Sequence, residues 1–268
     1  MFPVLKHLIK KNLAQPYWNK AGNFIYLKQR VYFPKNSVIF RRAIFEGIYE
    51  SELVQLLCRL IKPGTEILDI GANIGLIAIP LLRHNGSITV TSVEASPNSI
   101  PYLKKTNAES EYANRWQIID KAVADKPGTI SFELADPSYG AFDGIKNTQR
   151  TSMVKTVEVE CTTIDIIWEQ KQKPDVSLIK IDVEGADLLA LRGGINCIKQ
   201  CKPIIAMEWN QVNILPFNLS NIDLLDFCKS IQYELYAIPQ MSKITSLNEM
   251  DLFTKLTENF LLIFDDQQ

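Results

Sequence analysis

Histidine is nearly absent: 268 residues contain two, His7 and His84. Without imidazole there is no base for a Ser–His–Asp or Cys–His mechanism, so any proton transfer falls to carboxylates, lysine, tyrosine or water. Charge of one sign is also missing. Lys and Arg total 29 against 30 Asp and Glu, a formal net charge of −1, so the chain has no basic footprint for nucleic acid. No run of about 18 apolar residues exists to span a membrane. Lys6, Lys10 and Lys11 interrupt Leu5, Leu8, Ile9 and Leu13, which argues against a signal peptide or stable membrane insertion and predicts an amphipathic opening helix. The five cysteines (Cys58, Cys161, Cys197, Cys201 and Cys228) have no histidine beside them to complete a zinc site. They read as packed thiols in a reducing cytosol. The G-x-G-x-x-G and P-loop signatures are absent as well.

What is present is concentrated in residues 66 to 75, Glu-Ile-Leu-Asp-Ile-Gly-Ala-Asn-Ile-Gly. Ile67, Leu68 and Ile70 predict a buried strand, with Gly71 and Gly75 at a sharp turn into a helix. Such a turn exposes backbone N–H groups with no Cβ in the way. Asp69 places a carboxylate at the strand end, where open α/β sheets bind ligands. Glu94, at the end of the next strand, stands about 20 residues on, where a carboxylate meets ribose hydroxyls. Asp69 would repel a phosphate but suits a cation. A cationic ligand with a ribose is therefore expected, and S-adenosylmethionine fits, with Asp69, Asn73 and Glu94 as its contacts.

The remaining order supports one α/β domain. Residues 1–50 read as an N-terminal extension or lid, containing a short helix, strand-like alternation over 23–33, and a segment from Phe45 to Glu50. Residues 51–268 read as the domain proper. Apolar spacing over 51–61 predicts a helix ending at Pro63-Gly64. Strands at 66–70, 87–94, 116–119, 176–182, 203–208, 233–238 and 260–264 alternate with helices at 74–83, 97–108, 163–170, 184–200 and 220–230. That rhythm predicts a seven-stranded, mostly parallel sheet with helices on both faces. It breaks at 125–161, where 129–134 and 153–160 alternate like two strands around a turn-rich loop over 135–152.

A second chemical run is Leu178-Ile-Lys-Ile-Asp-Val-Glu-Gly185. Lys180 and Asp182 share one face of a strand, and charges in a central strand pair with each other or line a cavity. Glu208 ends the neighbouring strand, and Trp209 after it is offered as a surface for stacking on a sugar. Asp136-Pro-Ser-Tyr139 reads as a turn.

Asp69-Ile-Gly-Ala-Asn-Ile-Gly75, Glu94-Ala-Ser-Pro97, Lys180-Ile-Asp-Val-Glu-Gly185, Leu191-Arg-Gly-Gly194 and Pro203 to Glu208 resemble, in order and spacing, the FkbM family of S-adenosylmethionine-dependent methyltransferases. The resemblance implies a Rossmann-like class I methyltransferase fold. It also implies O-methylation of a small hydroxyl acceptor, a sugar or secondary metabolite, with S-adenosylhomocysteine as product. By the same resemblance Asp69, Gly71, Ala72, Asn73 and Gly75 would hold the methionine end. Glu94 would hold the ribose, with Ala95 and Ser96 also in the cofactor site, and Asp120 would reach the adenine amine with Lys121 and Ala122 flanking the ring. Asp182 would lie nearest the transferred methyl, and Tyr49-Glu50 close to the cofactor. Ala95 and Asp187 depart from the proline and glutamate usual in the family.

Asp182 or Glu184, polarised by Lys180, is the candidate base. A divalent metal held by Asp182 and Glu208 is the less favoured alternative, and no residue is assigned as a metal ligand. A nicotinamide-dependent oxidoreductase and a non-catalytic Rossmann-like binding protein are the competing readings. Homo-oligomerisation stays open.

Overall fold

The computed structural model describes residues 20–266, so the expected opening helix lies outside the described residues. The chain begins with a hairpin, β1 (Gly22–Tyr26) and β2 (Gln29–Phe33), followed by α1 (Val38–Glu46) and α2 (Ser51–Leu60). The central elements are β3 (Glu66–Ile70), α3 (Ala78–His84), β4 (Thr89–Glu94), α4 (Ile100–Ala108) and β5 (Trp116–Asp120). After an excursion they resume with α5 (Ile164–Gln170), β9 (Val176–Ile181), α6 (Asp187–Arg192), α7 (Ile195–Cys201) and β10 (Ile204–Glu208). A four-residue helix α8 (Gln211–Ile214), α9 (Asn221–Ser230), β11 (Tyr233–Ala237), β12 (Ser242–Ile244), α10 (Leu247–Phe253) and β13 (Asn259–Phe264) close the chain.

The sheet runs β12-β11-β13-β10-β9-β3-β4-β5. Neighbours from β10 to β5 are parallel, while β13 enters antiparallel between β10 and β11. The expected seven strands are all present. An eighth, three-residue β12, is added at the edge, too short to show as alternation in the sequence.

Side chains alternate across this sheet as strand geometry demands. Leu68, Ile70, Ile179, Ile181, Ile205 and Met207 join one core with α5, α6, α7, α9 and α10. Ile67, Leu178 and Ala206 join the opposite core with α1 to α4. Tyr26, Val31 and Phe33 of the hairpin belong to this second core, so the leading segment packs on the sheet face. Tyr26 bonds the Leu76 carbonyl and receives the Tyr49 N–H, which fixes where α2 begins.

The excursion is a three-stranded sheet: β6 (Ala122–Val123), β8 (Met153–Thr162) and β7 (Gly128–Ala135). The two strands expected there pair antiparallel. Asp136 caps a 3₁₀ turn over Pro137–Phe142, as the turn reading of Asp136 to Tyr139 anticipates. The single helix expected over 184–200 is instead two, α6 and α7. A Cβ on Gly193 would stand 2.2 Å from the Ala124 carbonyl oxygen. The break falls at Gly193-Gly194, which lie against Ala124 at the start of the excursion and Ile164 just after its end.

Candidate active site

β3, β4, β9 and β10 end at the same edge, and a cavity opens over their tips. It holds roughly 1000 Å³ of atom-free space, open mouth included. Glu50, Gly71, Asn73, Glu94, Ala95, Lys121, Ala122, Asp182 and Glu184 all line it. Ala72 and Lys180 line a smaller pocket that shares Tyr49, Gly71, Asn73 and Asp182 with the first.

Glu94 marks one end. Its carboxylate accepts the Asn73 N–H at 2.8 Å and the Ser96 N–H at 2.7 Å. Burial pushes its pKa up to about 7, against the pull of these donors. Two oxygens offer about four acceptor positions, so capacity remains for a hydroxyl of a ligand. Asn73 reaches its place with φ +49°, a left-handed conformation that asparagine tolerates. Lys121, Ala122, Val123 and Phe132 border this region.

The other end is acidic. Asp182 Oδ2 accepts from Lys180 Nζ at 3.2 Å. Burial opposes the charge on Lys180, yet Asp182, Asp69 and Glu50 outweigh it and hold the ammonium above its ordinary value. Burial raises Glu184 to about 8 and Glu208 well above the usual carboxylate range, with Asp182 adding to both. Asp187, behind them, is pushed up to about 7 by burial and Asp182. Glu50 is raised by burial and by Asp182. Glu50 and Glu184 carry φ of +48° and +50°. Strain of this kind, of order 1–3 kcal/mol, clusters at functional sites.

Several expectations are corrected. Asp69 does not face the cavity. It is fully buried on the sheet face covered by α2 and α3, because residue parity puts it with Ile67 rather than Ile70. There it joins a polar stripe: Trp116 Nε1 donates to Ser92 Oγ at 2.9 Å, and Ser92 Oγ to Asp69 Oδ2 at 3.1 Å. Lys180 is its strand neighbour on the other side, and Asp69 Oδ1 has no hydrogen-bond partner. Gly75 lies against Trp116 and Leu103 and does not border the cavity. Ser96 contributes only its backbone to Glu94, while its hydroxyl bonds Asp143. Asp120 stays outside the cavity and pairs with Lys104 at 2.7 Å. Trp209 offers no stacking face: it is fully buried, with Nε1 bonded to Asn221 Oδ1 at 2.8 Å.

Other lining residues carried no signal in the sequence. Arg42, on α1, sits 4.6 Å from the Tyr49 ring centroid and pairs with Glu46 and Glu50. Phe142, Asp143 and Arg150 come from the loop between β7 and β8. One oxygen each of Asp182, Glu184 and Glu208 gather within 4.8 Å of one another. Arg150 already stands between the two glutamates, 3.4 Å from Glu184 and 3.9 Å from Glu208. The cluster has its own cation, and we assign no metal to it.

Three comparisons with known proteins give matches. The family model of the methyltransferase FkbM domain matches residues 69–235. Ribosomal RNA small subunit methyltransferase G of Mycoplasmopsis pulmonis (strain UAB CTIP) is 33% identical over 64 residues, 24% of this chain and 27% of that protein. The match thus spans about a quarter of that curated relative's length. Among solved structures, a methyltransferase FkbM from Methylobacillus flagellatus KT is 14% identical with TM-score 0.48, covering 97% of this chain and 60% of its own. An O-methyltransferase from Bacillus cereus, solved in complex with SAH, is 11% identical with TM-score 0.42, covering 81% of this chain and 80% of its own.

Proposed function

The chain belongs to the FkbM family of S-adenosylmethionine-dependent methyltransferases, and on that premise we propose that it methylates a hydroxyl of a sugar, glycoside or secondary metabolite. The observation that carries this reading is the two-ended cavity: the Glu94 carboxylate, held by backbone N–H groups, at one end and carboxylates from three further chain segments at the opposite end.

The residues present suit the cofactor. Glu94 has acceptor capacity left for a ribose hydroxyl. Lys121 and Ala122 border the region where adenine would lie, and the Gly71–Asn73 turn brings backbone close to the methionine end. Glu50 and Asp182 supply negative charge for a ligand carrying an ammonium and a sulfonium. Asp69 acts from behind, through Lys180.

Bound S-adenosylmethionine supplies a methyl on a positively charged sulfur that departs as a neutral thioether. The protein's share is alignment and proton removal. Holding a hydroxyl in line with that methyl is worth up to about 7–11 kcal/mol in well-oriented systems. Asp182, tethered to Lys180, is the residue we place nearest the methyl, and it or its neighbour Glu184 receives the hydroxyl proton. A wall of carboxylates and two guanidiniums, Arg42 and Arg150, with Tyr49 and Phe142 beside it, suits a polyhydroxylated acceptor that both accepts and donates hydrogen bonds. No helix among the described residues is long and apolar enough to cross a membrane. All five cysteines are unpaired, which supports a reducing compartment.

A screen of glycosides and hydroxylated metabolites with labelled methyl donor tests the reading. Label on an acceptor hydroxyl supports it. Label found only on nitrogen or carbon, or NAD-dependent turnover instead, overturns it.

A further inference from the structure

The acidic end of the cavity is closed by a strap, residues 143–152, tied down at three points. Asp143 anchors its start: Oδ1 accepts the Ala135 N–H at 2.7 Å, and Oδ2 accepts from Asn98 Nδ2 at 2.9 Å and from Ser96 Oγ. Lys146 anchors the middle, with Nζ 2.8 Å from the Pro216 carbonyl oxygen and 5.0 Å from the Phe217 ring centroid. Arg150 anchors the end inside the cavity. Its Nη1 lies 3.4 Å from Glu184 Oε2 and 3.9 Å from Glu208 Oε1, and its guanidinium carbon lies 4.8 Å from the Phe142 ring centroid.

We propose that Arg150 is a positioning residue: it holds the Glu184 and Glu208 carboxyls together at the acceptor end and favours their ionisation, and the ionised pair takes up the proton lost by the acceptor hydroxyl. The inference rests on the methyl-transfer reading. As the hydroxyl oxygen bonds to the methyl carbon, the sulfur–methyl bond breaks with its electrons left on sulfur. The hydroxyl proton passes to a carboxylate oxygen of the pair, and Arg150 keeps its own protons. Asp182, tied to Lys180, then orients the hydroxyl rather than accepting from it.

The surroundings show why a guanidinium is needed. Glu184 faces Asp182 and Asp187; Glu208 faces those two, Glu184 and Tyr49. Burial and these acids oppose ionisation of both glutamates, while Arg150 favours it in each. Lys180 is bonded to Asp182, and Arg42 pairs with Glu46 and Glu50. Glu258 also acts on Arg150 from the far side. Among the described residues, Arg150 is the cation in contact with the pair. Its planar fork can serve two carboxylates while stacking on a ring.

The test is thermal melting of the full-length protein from about pH 6 to about pH 9, with and without saturating S-adenosylhomocysteine. The variants are Arg150→Gln, Arg150→Lys and Glu208→Gln. Where burial raises a carboxyl in the folded state, the fold holds its proton longer, so stability falls as pH rises toward the folded value. Arg150 offsets that fall only once the glutamates ionise. The Gln variant's deficit in melting temperature should therefore be at least about twofold larger at the alkaline end than at the acid end, and Lys should restore most of it. Should Arg150→Gln not fold, Glu208→Gln decides: its melting temperature falls less with pH than the native protein's. A deficit equal at every pH, no rescue by Lys, or an unchanged Glu208→Gln slope overturns the proposal. If S-adenosylhomocysteine fails to raise the native melting temperature at any pH, the methyl-transfer reading falls and takes the proton-accepting role with it, whatever the Arg150 pattern.

Discussion

Gly71 lies directly beneath the backbone carbonyl of Asp182: a Cβ on Gly71 would stand 1.8 Å from that oxygen. The glycine of the first strand end and the acid of the fourth are thus one unit. Gly71 also has φ +80°, which disfavours any other residue by roughly 1–2 kcal/mol before the overlap is counted. The close approach sets how near the β3 turn and the Asp182 carboxylate come to each other.

Gly71→Ala should therefore lower stability by at least about 2 kcal/mol and loosen the cavity floor. Chemical denaturation measures the first effect, and calorimetric titration with S-adenosylhomocysteine the second. A variant of native stability and affinity would show that the overlap is relieved at no cost.

Glu94 carries a pH prediction. Its folded carboxyl is raised to about 7 by burial, so it holds its proton at mildly acidic pH and accepts hydroxyl donors fully only above that value. Affinity for S-adenosylhomocysteine should rise as pH passes upward through about 7. Glu94→Gln should weaken binding roughly tenfold or more, the scale of a lost charged hydrogen bond, and flatten the pH dependence. Binding in Glu94→Gln that still climbs with pH would move the titrating group elsewhere.

Much of the site was legible because its carriers are strand ends. A buried strand followed by Gly71, an acid at the tip of the next strand, and the Lys180-to-Gly185 run are each local patterns with one structural meaning. What stayed hidden depends on strand length and path. Asp69 shares a face with its register partner Lys180 and so with Asp182; Asp69 stays inside β3 and is covered, whereas Asp182 lies one residue beyond the end of β9 and borders the cavity. Arg42, Phe142 and Arg150 have no periodic context; they reach the site only because α1, the 3₁₀ turn and the strap cross it. β12 and α8 are too short to leave a period.

Asp69 illustrates the revised logic. Asp69→Asn should leave the cavity lining intact but remove one of the carboxylates that sustain the Lys180 charge. The expected result is a stability loss of about 2 kcal/mol, with a smaller effect on cofactor affinity than Glu94→Gln. Equal stability with complete loss of binding would restore the direct contact first expected for Asp69.

Asp182→Asn separates orientation from binding. The isosteric amide keeps the Lys180 neighbour but loses the negative charge. Turnover on an identified acceptor should fall by about tenfold or more, within the range of lost acid–base or orienting groups, while donor affinity changes far less. Unchanged kcat would remove Asp182 from the chemistry altogether.

The most direct measurement is calorimetric titration of the native protein with S-adenosylmethionine, S-adenosylhomocysteine and NAD in turn. Saturable binding of the two sulfur compounds, weakened by Glu94→Gln, with no heat from NAD, is the result our assignment of the cavity requires. Binding of NAD with silence from both sulfur compounds would contradict it.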